Sequence, residues 1–306
     1  MFYLENEPDV IFSSSFTNDL FVITDGELTV YDENGNSKKM LTTYKLKSIF
    51  PANDTIWVID IENNLYSIDS KSKKSTFVLS DVIDFSCGSG SYAAIIENGD
   101  LYVWGENTDY ILGVGEKSNI EEPFLVSSVH NVKKVELRNR YALLLDEHGQ
   151  VYECDLVDYK KSEKDSSTPG YVKEFQSIDE LENIQNIISG YGNIAIKNTG
   201  EIYYWFSGFK SNLKHPYVGD LSEISAYCER ANIMDYSTGL MFYLGINGSG
   251  EVYYWGVDII TKATRKEEKI ARYPTKIKQI KNAEAVYAGR NIGYVKKGKS
   301  IIVLKK

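Results

Sequence analysis

One short phrase recurs seven times along this chain of 306 residues: a β-rich run, a tight turn, and a second strand ending in aromatics. The clearest copy runs Val82-Ile83-Asp84-Phe85-Ser86-Cys87-Gly88 and then Asn98-Gly99-Asp100-Leu101-Tyr102-Val103-Trp104-Gly105. A near-twin stands 151 residues later, Ile233-Met234-Asp235-Tyr236-Ser237-Thr238-Gly239 and then Ser249-Gly250-Glu251-Val252-Tyr253-Tyr254-Trp255-Gly256. No gap is needed to superpose them. A unit of this size cannot bury its own apolar face, so repetition at this period implies a closed or stacked array.

The turns fix the count. They fall at positions 26, 63, 99, 149, 200, 250 and 298, at intervals of 37, 36, 50, 51, 50 and 48 residues. Glycine fills every place except Asn63, and both residue types suit the positive φ that a two-residue hairpin turn demands. The segment after each turn alternates, as in Leu101 and Val103 against Tyr102 and Trp104, the period of a strand with two different faces. Helical candidates are nearly absent. The best is Ser177-Ile178-Asp179-Glu180-Leu181, one or two turns long.

Composition fits an ordered, soluble, Tyr-rich β protein: 42% hydrophobic, 13% aromatic, with 23 Tyr and only six Pro. No apolar run approaches the roughly 20 residues needed to span a bilayer. The start, Met1-Phe2-Tyr3-Leu4-Glu5-Asn6-Glu7, lacks the basic and apolar regions of a secretory signal. Cys87, Cys154 and Cys228 lie too far apart for a disulfide framework and point to a reducing compartment. The expected location is therefore cytoplasmic, or secreted if a leader has been removed. The Asn, Lys, Ile and Tyr bias suits an AT-rich, bacterial genome.

Between residues 81 and 126 the pattern becomes specific. Trp104-Gly105-Glu106-Asn107-Thr108-Asp109-Tyr110-Ile111-Leu112-Gly113-Val114-Gly115, then Pro123 and Val126, resembles the repeat of the regulator of chromosome condensation family, whose phrase is Trp-Gly-x-Asn, Gly-Gln-Leu-Gly-x-Gly, a proline and a Val. Here Tyr110 and Ile111 replace Gly-Gln. Trp205-Phe206-Ser207-Gly208 and Trp255-Gly256-Val257-Asp258 keep only the start of that loop, and the first two repeats are about a dozen residues short.

The resemblance implies an all-β fold, a seven-bladed β-propeller of four-stranded antiparallel blades, spanning 1–306 as a single domain. The last repeat stops after its third strand, Ile301-Ile302-Val303-Leu304, while Phe2-Tyr3-Leu4 precedes the first full repeat. The N-terminal strand is therefore expected to complete the last blade and close the ring, since an open ring would leave unpaired sheet edges.

Residues that carry chemistry are sparse. His130, His148 and His215 lie in unrelated loops, and no His, Cys or carboxylate cluster has metal-ligand spacing. Gly88-Ser89-Gly90-Ser91 joins two strands and is not a phosphate-binding loop, and no nucleophile elbow is present. No cofactor, no metal and no enzymatic activity are expected. Trp104, Trp205 and Trp255 recur at one repeat position, with Cys154 as the equivalent in the fourth repeat, and read as packing between blades.

Charge is uneven. The net is −9, yet residues 262–306 hold 14 Lys and Arg against Glu267, Glu268 and Glu284, a net of +11 that leaves −20 for the first 261 residues. Lys262, Arg265, Lys266, Lys269, Lys276 and Lys278 read as a solvated surface or as a dock for an acidic partner or nucleic acid. An acidic ring repels nucleic acid and favours encounter with a basic protein.

In a propeller the loops between the first and second strands gather at one mouth of the channel. Here they present Phe16, Arg138, Arg140, Tyr191, Met241, Phe242 and Arg290, residue types that anchor interfaces. The expected function is that of a non-catalytic, monomeric propeller that captures a protein partner through this mouth, as an inhibitor, immunity protein or scaffold. The resemblance supports it, since the family includes a secreted bacterial β-lactamase inhibitor. The alternative it implies is guanine-nucleotide exchange on a small GTPase, which the founding member performs with a β-wedge inserted in one blade. The longest surplus here, Phe209 to Asn232, shows no clean hairpin pattern.

Overall fold

The computed structural model describes residues 1–13, 16–40, 42–52, 55–107, 110–115, 119–138, 141–155, 174–190, 192–205, 221–257 and 270–305. The fold is an all-β seven-bladed propeller of antiparallel sheets. After β1 (Phe2–Tyr3), the first blade is β2 (Val10–Phe12), β3 (Leu20–Thr24), β4 (Glu27–Tyr31) and β5 (Ser37–Met40). The second is β6 (Leu46–Ala52), β7 (Thr55–Asp60), β8 (Leu65–Asp69) and β9 (Ser75–Leu79), and the third β10 (Val82–Cys87), β11 (Ser91–Ile96), β12 (Leu101–Gly105) and β13 (Ile120–Leu125). The fourth is β14 (Val132–Leu137), β15 (Tyr141–Asp146), β16 (Val151–Asp155) and β17 (Gln176–Ser177). The fifth shows three strands among the described residues, β18 (Ile184–Ser189), β19 (Asn193–Lys197) and β20 (Ile202–Trp205). The sixth comes after a helix, α1 (Leu221–Ala231), as β21 (Ile233–Thr238), β22 (Phe242–Asn247), β23 (Val252–Val257) and β24 (Ile270–Lys276). In the seventh, β25 (Ala285–Ala288), β26 (Gly293–Lys297) and β27 (Ser300–Leu304) are completed by β1, with Phe2 opposite Ile301 and Tyr3 opposite Ser300. That pairing closes the ring as expected. By internal contacts the chain divides into two compact units, residues 1–61, 68–74 and 214–306, and residues 62–67 and 75–213.

The turn residues do what the sequence asks of them. Gly26, Asn63, Gly99, Gly149, Gly200, Gly250 and Gly298 all take positive φ, between +54° and +87°. The turn also docks the next repeat. In the first unit the Gly26 carbonyl accepts from the Leu46 amide at 2.9 Å, and the Gly250 carbonyl from Ala283 at 3.0 Å. In the second, Asn63 receives Val82 at 2.8 Å, Gly99 receives Val132 at 3.0 Å and Gly149 receives Ile184 at 3.0 Å. A side chain at Gly99 would meet the Asn131 backbone at 2.8 Å, so close approach and φ demand the same residue.

A second repeated signal sits just before the first strand. Asp81, Asn131, Asn183, Asn232 and Asn282 take φ between +50° and +61°, a conformation that Asn and Asp tolerate better than other side-chain-bearing residues. The residue after the next one is a β-bulge in four of these blades, with register shifts at Val82/Asp84, Val132/Lys134, Ile184/Asn186 and Ile233/Asp235, and the second blade shifts likewise at Leu46/Ser48, after Lys45. The bulge twists the inner strand and turns residues such as Ile83 and Met234 outward, 43% and 65% exposed. Second strands are near-continuous apolar runs buried along most of their length, as in Leu143, Leu144 and Leu145, each at most 1% exposed.

The repeated Trp position packs as read. Trp104 is 5% exposed, Trp205 4%, Trp255 0% and Cys154 0%. Asn107 of the Trp-Gly-x-Asn phrase is fully buried, its Oδ1 accepting from the Leu112 amide at 3.1 Å and shaping the loop that carries Ile111 and Leu112 into the core. Tyr110, which replaces glycine of that phrase, keeps a left-handed φ of +60°.

Two expectations are corrected. Ser177–Leu181 is not helical: Ser177 ends β17 and the chain then turns, the Ile178 amide pairing with the Val151 carbonyl at 2.9 Å. A helix stands instead at Leu221–Ala231, inside the surplus before the sixth repeat. Ile224 and Cys228, four apart and 0% and 2% exposed, form its buried side, and packing on β21 and β24 holds it.

Candidate partner-binding loops

The loops between first and second strands must hold their side chains without secondary structure of their own. In the first unit they do so by lacing three loops together. The Leu240 amide donates to the Arg290 carbonyl at 3.0 Å, and the Arg290 amide to the Thr17 carbonyl at 2.7 Å. The Asn291 amide donates to Asn18 Oδ1 at 2.9 Å, and the Tyr294 hydroxyl to the Asn18 carbonyl. Within the first loop Ser13 Oγ donates to the Asp19 carbonyl at 3.1 Å and Thr17 Oγ1 to Asp19 Oδ2 at 3.0 Å. A side chain at Gly289 would come within 2.9 Å of the Thr17 carbonyl, so the backbone here would have to shift to admit one.

The lacing brings Phe16, Leu240, Met241 and Arg290 onto one local surface. Phe16 and Met241 are half-buried, Leu240 is 44% exposed and Arg290 is exposed. Asp19, the acidic residue of the 13–19 loop, is half-buried and tied to Thr17. Phe242 is a correction. It opens strand β22, is 1% exposed and packs with Leu244, Val286 and Val295. Gly239 folds so tightly over its ring that a Cβ there would approach the ring to 2.1 Å. Phe242 supports the loop from beneath and presents nothing to a partner.

In the second unit Arg138 is half-buried and its guanidinium donates to the Ser189 carbonyl in the next blade. The Tyr141 hydroxyl donates to the Gly190 carbonyl at 3.0 Å, and Ser189 Oγ lies 3.0 Å from both Tyr141 Oη and Asn193 Oδ1. Arg138 thus braces adjacent blades. Arg140 and Tyr191 lie outside the described residues. Deeper along the same inner strands, Asp84 Oδ2 accepts from the Val135 amide and Ser86 Oγ from the Leu137 amide, both at 2.8 Å. Ser237 accepts from Ala288 in the equivalent way, again at 2.8 Å. Lys134 reaches forward to Asn186 Oδ1 and the Ile187 carbonyl. Burial pushes the Asp84 carboxyl up to about 7 and the Cys87 thiol up to about 12.

Arginine is distributed unlike lysine. The chain has six Arg and 28 Lys; Arg138, Arg140 and Arg290 fall in these short loops and no Lys does. The basic C-terminal stretch is partly neutralised from within: Lys276 pairs with Glu251, Lys296 with Glu7 and Glu284 at 2.6 Å each, and Lys305 with Glu33 at 3.0 Å. Among the described residues no group of three or more His, Cys, Asp or Glu could hold a metal ion. No helix among them is long and apolar enough to cross a membrane.

Comparison with known proteins agrees with this architecture. Residues 98–139 match the model of the regulator of chromosome condensation (RCC1) repeat. The chain is similar to the E3 ubiquitin-protein ligase HERC2 of Mus musculus, 26% identical over 185 residues that cover 57% of this chain and 4% of that protein. It is also similar to RCC1 domain-containing protein RUG3, mitochondrial, of Arabidopsis thaliana, 27% identical over 142 residues, 45% of this chain and 31% of that one. The chain therefore spans under a third of either relative. Among solved structures, human WBSCR16 superposes with a TM-score of 0.73 at 12% identity, covering 99% of this chain and 88% of that one. Yeast RCC1 (Prp20), solved bound to Kap60, gives 0.65 at 14% identity, covering 96% and 83%. At these identities the structural likeness speaks for the fold.

Proposed function

We propose that this RCC1-repeat propeller is a non-catalytic binding module that captures one protein partner, inhibiting or neutralising it, through the loops between first and second strands. One observation carries the reading. Three loops of the first unit are hydrogen-bonded to one another, and next to those bonds Leu240 and Arg290 are exposed while Phe16 and Met241 are half-buried. A surface fixed before binding loses little conformational entropy on association, and Arg beside large apolar side chains is a common interface anchor. The acidic remainder of the chain favours a partner of basic character, steered at long range. Three free cysteines fit a reducing, cytoplasmic setting.

The test is affinity capture from native lysate by the wild type and by a Leu240→Asp, Arg290→Ala variant whose melting temperature matches it. One stoichiometric partner held by the wild type and lost by the variant supports the reading; equal retention moves the site elsewhere. A second reading is nucleotide exchange, favoured by the likeness to yeast RCC1 and to the X-linked retinitis pigmentosa GTPase regulator homolog of Caenorhabditis elegans, 28% identical over 105 residues. Nucleotide release from a small GTPase by catalytic amounts of the chain would establish it in place of simple capture.

A further inference from the structure

The outer strands of the blades end in open sheet edges, and proteins guard such edges with charge, proline or brevity. Most of the described outer strands obey. β5 carries Lys38 and Lys39, β13 carries Glu121, Glu122 and Pro123, β24 carries Arg272 and Pro274, and β17 and β1 are two residues long. β9 does not. It reads Ser75-Thr76-Phe77-Val78-Leu79, with no charge and no proline, and lies last in its sheet. Phe77 at its centre is 56% exposed, held edge-on against Tyr66 of the neighbouring strand at 5.8 Å and 74°.

We propose that the β9 edge is a docking surface for a second copy of this chain, the two β9 strands pairing antiparallel about a two-fold axis at Phe77. The strand is complementary to itself in that arrangement. Phe77 meets its symmetry mate as an aromatic cross-strand pair, and Thr76 faces Val78 of the other copy. Lys74 directly precedes the strand and Asp81 comes two residues after it, so antiparallel pairing brings the basic end of one copy beside the acidic end of the other. Parallel pairing would set like charges together. A five-residue strand pair buries less than the roughly 1,000 Å² of a stable interface, so the association is weak and concentration-dependent. Nothing in it rests on the partner reading.

Sedimentation velocity over a dilution series tests this, with Phe77→Lys and Lys74→Glu variants and melting temperatures as the folding control. The wild type is expected to climb towards twice the monomer mass at the highest concentrations. Phe77→Lys, which sets two like charges face to face, should remain monomeric at every concentration and still unfold cooperatively, its melting temperature lowered only by the lost Tyr66 contact. Lys74→Glu, at low salt, should weaken the dimer at least threefold. Hydrogen exchange at 75–79 in the wild type should slow as concentration rises, a readout that does not depend on either variant. A wild type that is monomeric throughout, or a dimer that Phe77→Lys forms equally well, overturns the proposal.

Discussion

Asp84 and Val135 are joined across two repeats: the Val135 amide donates to Asp84 Oδ2 at 2.8 Å, one inner strand clasping the next. The carboxyl doing this is desolvated, and its pKa rises to about 7 in spite of the amide and the nearby Lys134 ammonium, with Glu136 adding to the rise. Burial favours the neutral acid while the amide bond it accepts favours the carboxylate, and here burial outweighs the amide.

The pH dependence comes from that sign. The folded pKa lies above the unfolded value of 3.8, so the native state binds more protons between the two, and stability is lost as pH rises from about 4 through about 7. The full effect is bounded at about 4 kcal/mol by the size of the shift. Asp84→Asn keeps an acceptor for the Val135 amide and removes the titration. Urea unfolding at pH 8 should show the variant more stable than the wild type by roughly one to a few kcal/mol on that scale, with the gap shrinking towards pH 5. A gap that is constant with pH would mean that Asp84 does not titrate in this range.

Closure by β1 predicts a large effect from a small segment. Phe2 is 8% exposed and stacks on Tyr31 at 5.2 Å and 13°, and Leu4, 4% exposed, joins the same cluster with Leu20, Tyr294 and Ile301. Phe2→Ala should cost about 3–5 kcal/mol, the usual range for emptying an aromatic site. Removing residues 1–7 should cost at least as much, since it also strips Glu7 from Lys296 and the Leu4 amide from the Lys299 carbonyl. Equilibrium denaturation of both variants checks this, and an unshifted midpoint would show that β1 adds nothing to closure.

Most of the fold was legible because a repeat multiplies weak signals. One glycine in a turn says little, whereas seven positive-φ turn residues at regular intervals specify an array. The same logic was available at Asp81, Asn131, Asn183, Asn232 and Asn282, which recur every 49 to 52 residues and mark the start of five inner strands. Helix α1 was hidden because it occurs once and, among its described side chains, only Ile224 and Cys228 are buried. Phe242 was misplaced by one residue, enough to exchange a loop for a core strand. The loop surface was legible only as residue types: that Arg138 braces the next blade while Arg290 stays exposed depends on contacts between repeats, and no local pattern encodes those.

Burial should also silence the thiols. Cys87 and Cys228 are both pushed up to about 12, and Cys154 is fully buried with its Sγ 3.1 Å from the Tyr110 carbonyl. The thiolate is the reactive form, so almost none exists at Cys87 or Cys228 at pH 8, and Cys154 is shielded by its burial. Labelling the native chain with a maleimide or an aromatic disulfide should modify none of the three within minutes, and all three after denaturation. Rapid native labelling of any one would mark a blade that opens locally.

The glycine after the repeated Trp separates close approach from backbone strain. Gly105 has φ +94°, and a Cβ there would lie 2.1 Å from the Gly90 carbonyl oxygen; Gly256, its twin, has φ +92° and would lie 2.5 Å from that of Met241. Backbone atoms block both sites, so the β11–β12 and β22–β23 ladders must shift to admit a methyl group. Gly200 has a similar φ of +87° with nothing within 4 Å of its would-be Cβ. Gly200→Ala should therefore cost only the left-handed penalty of about 1–2 kcal/mol. Gly105→Ala and Gly256→Ala should each cost clearly more, about 3 kcal/mol or above, because overpacking adds to that penalty. Chemical denaturation of the three variants orders them. Equal losses at all three positions would mean that φ alone selects glycine there, and that the close pass of the loop beside each Trp plays no part.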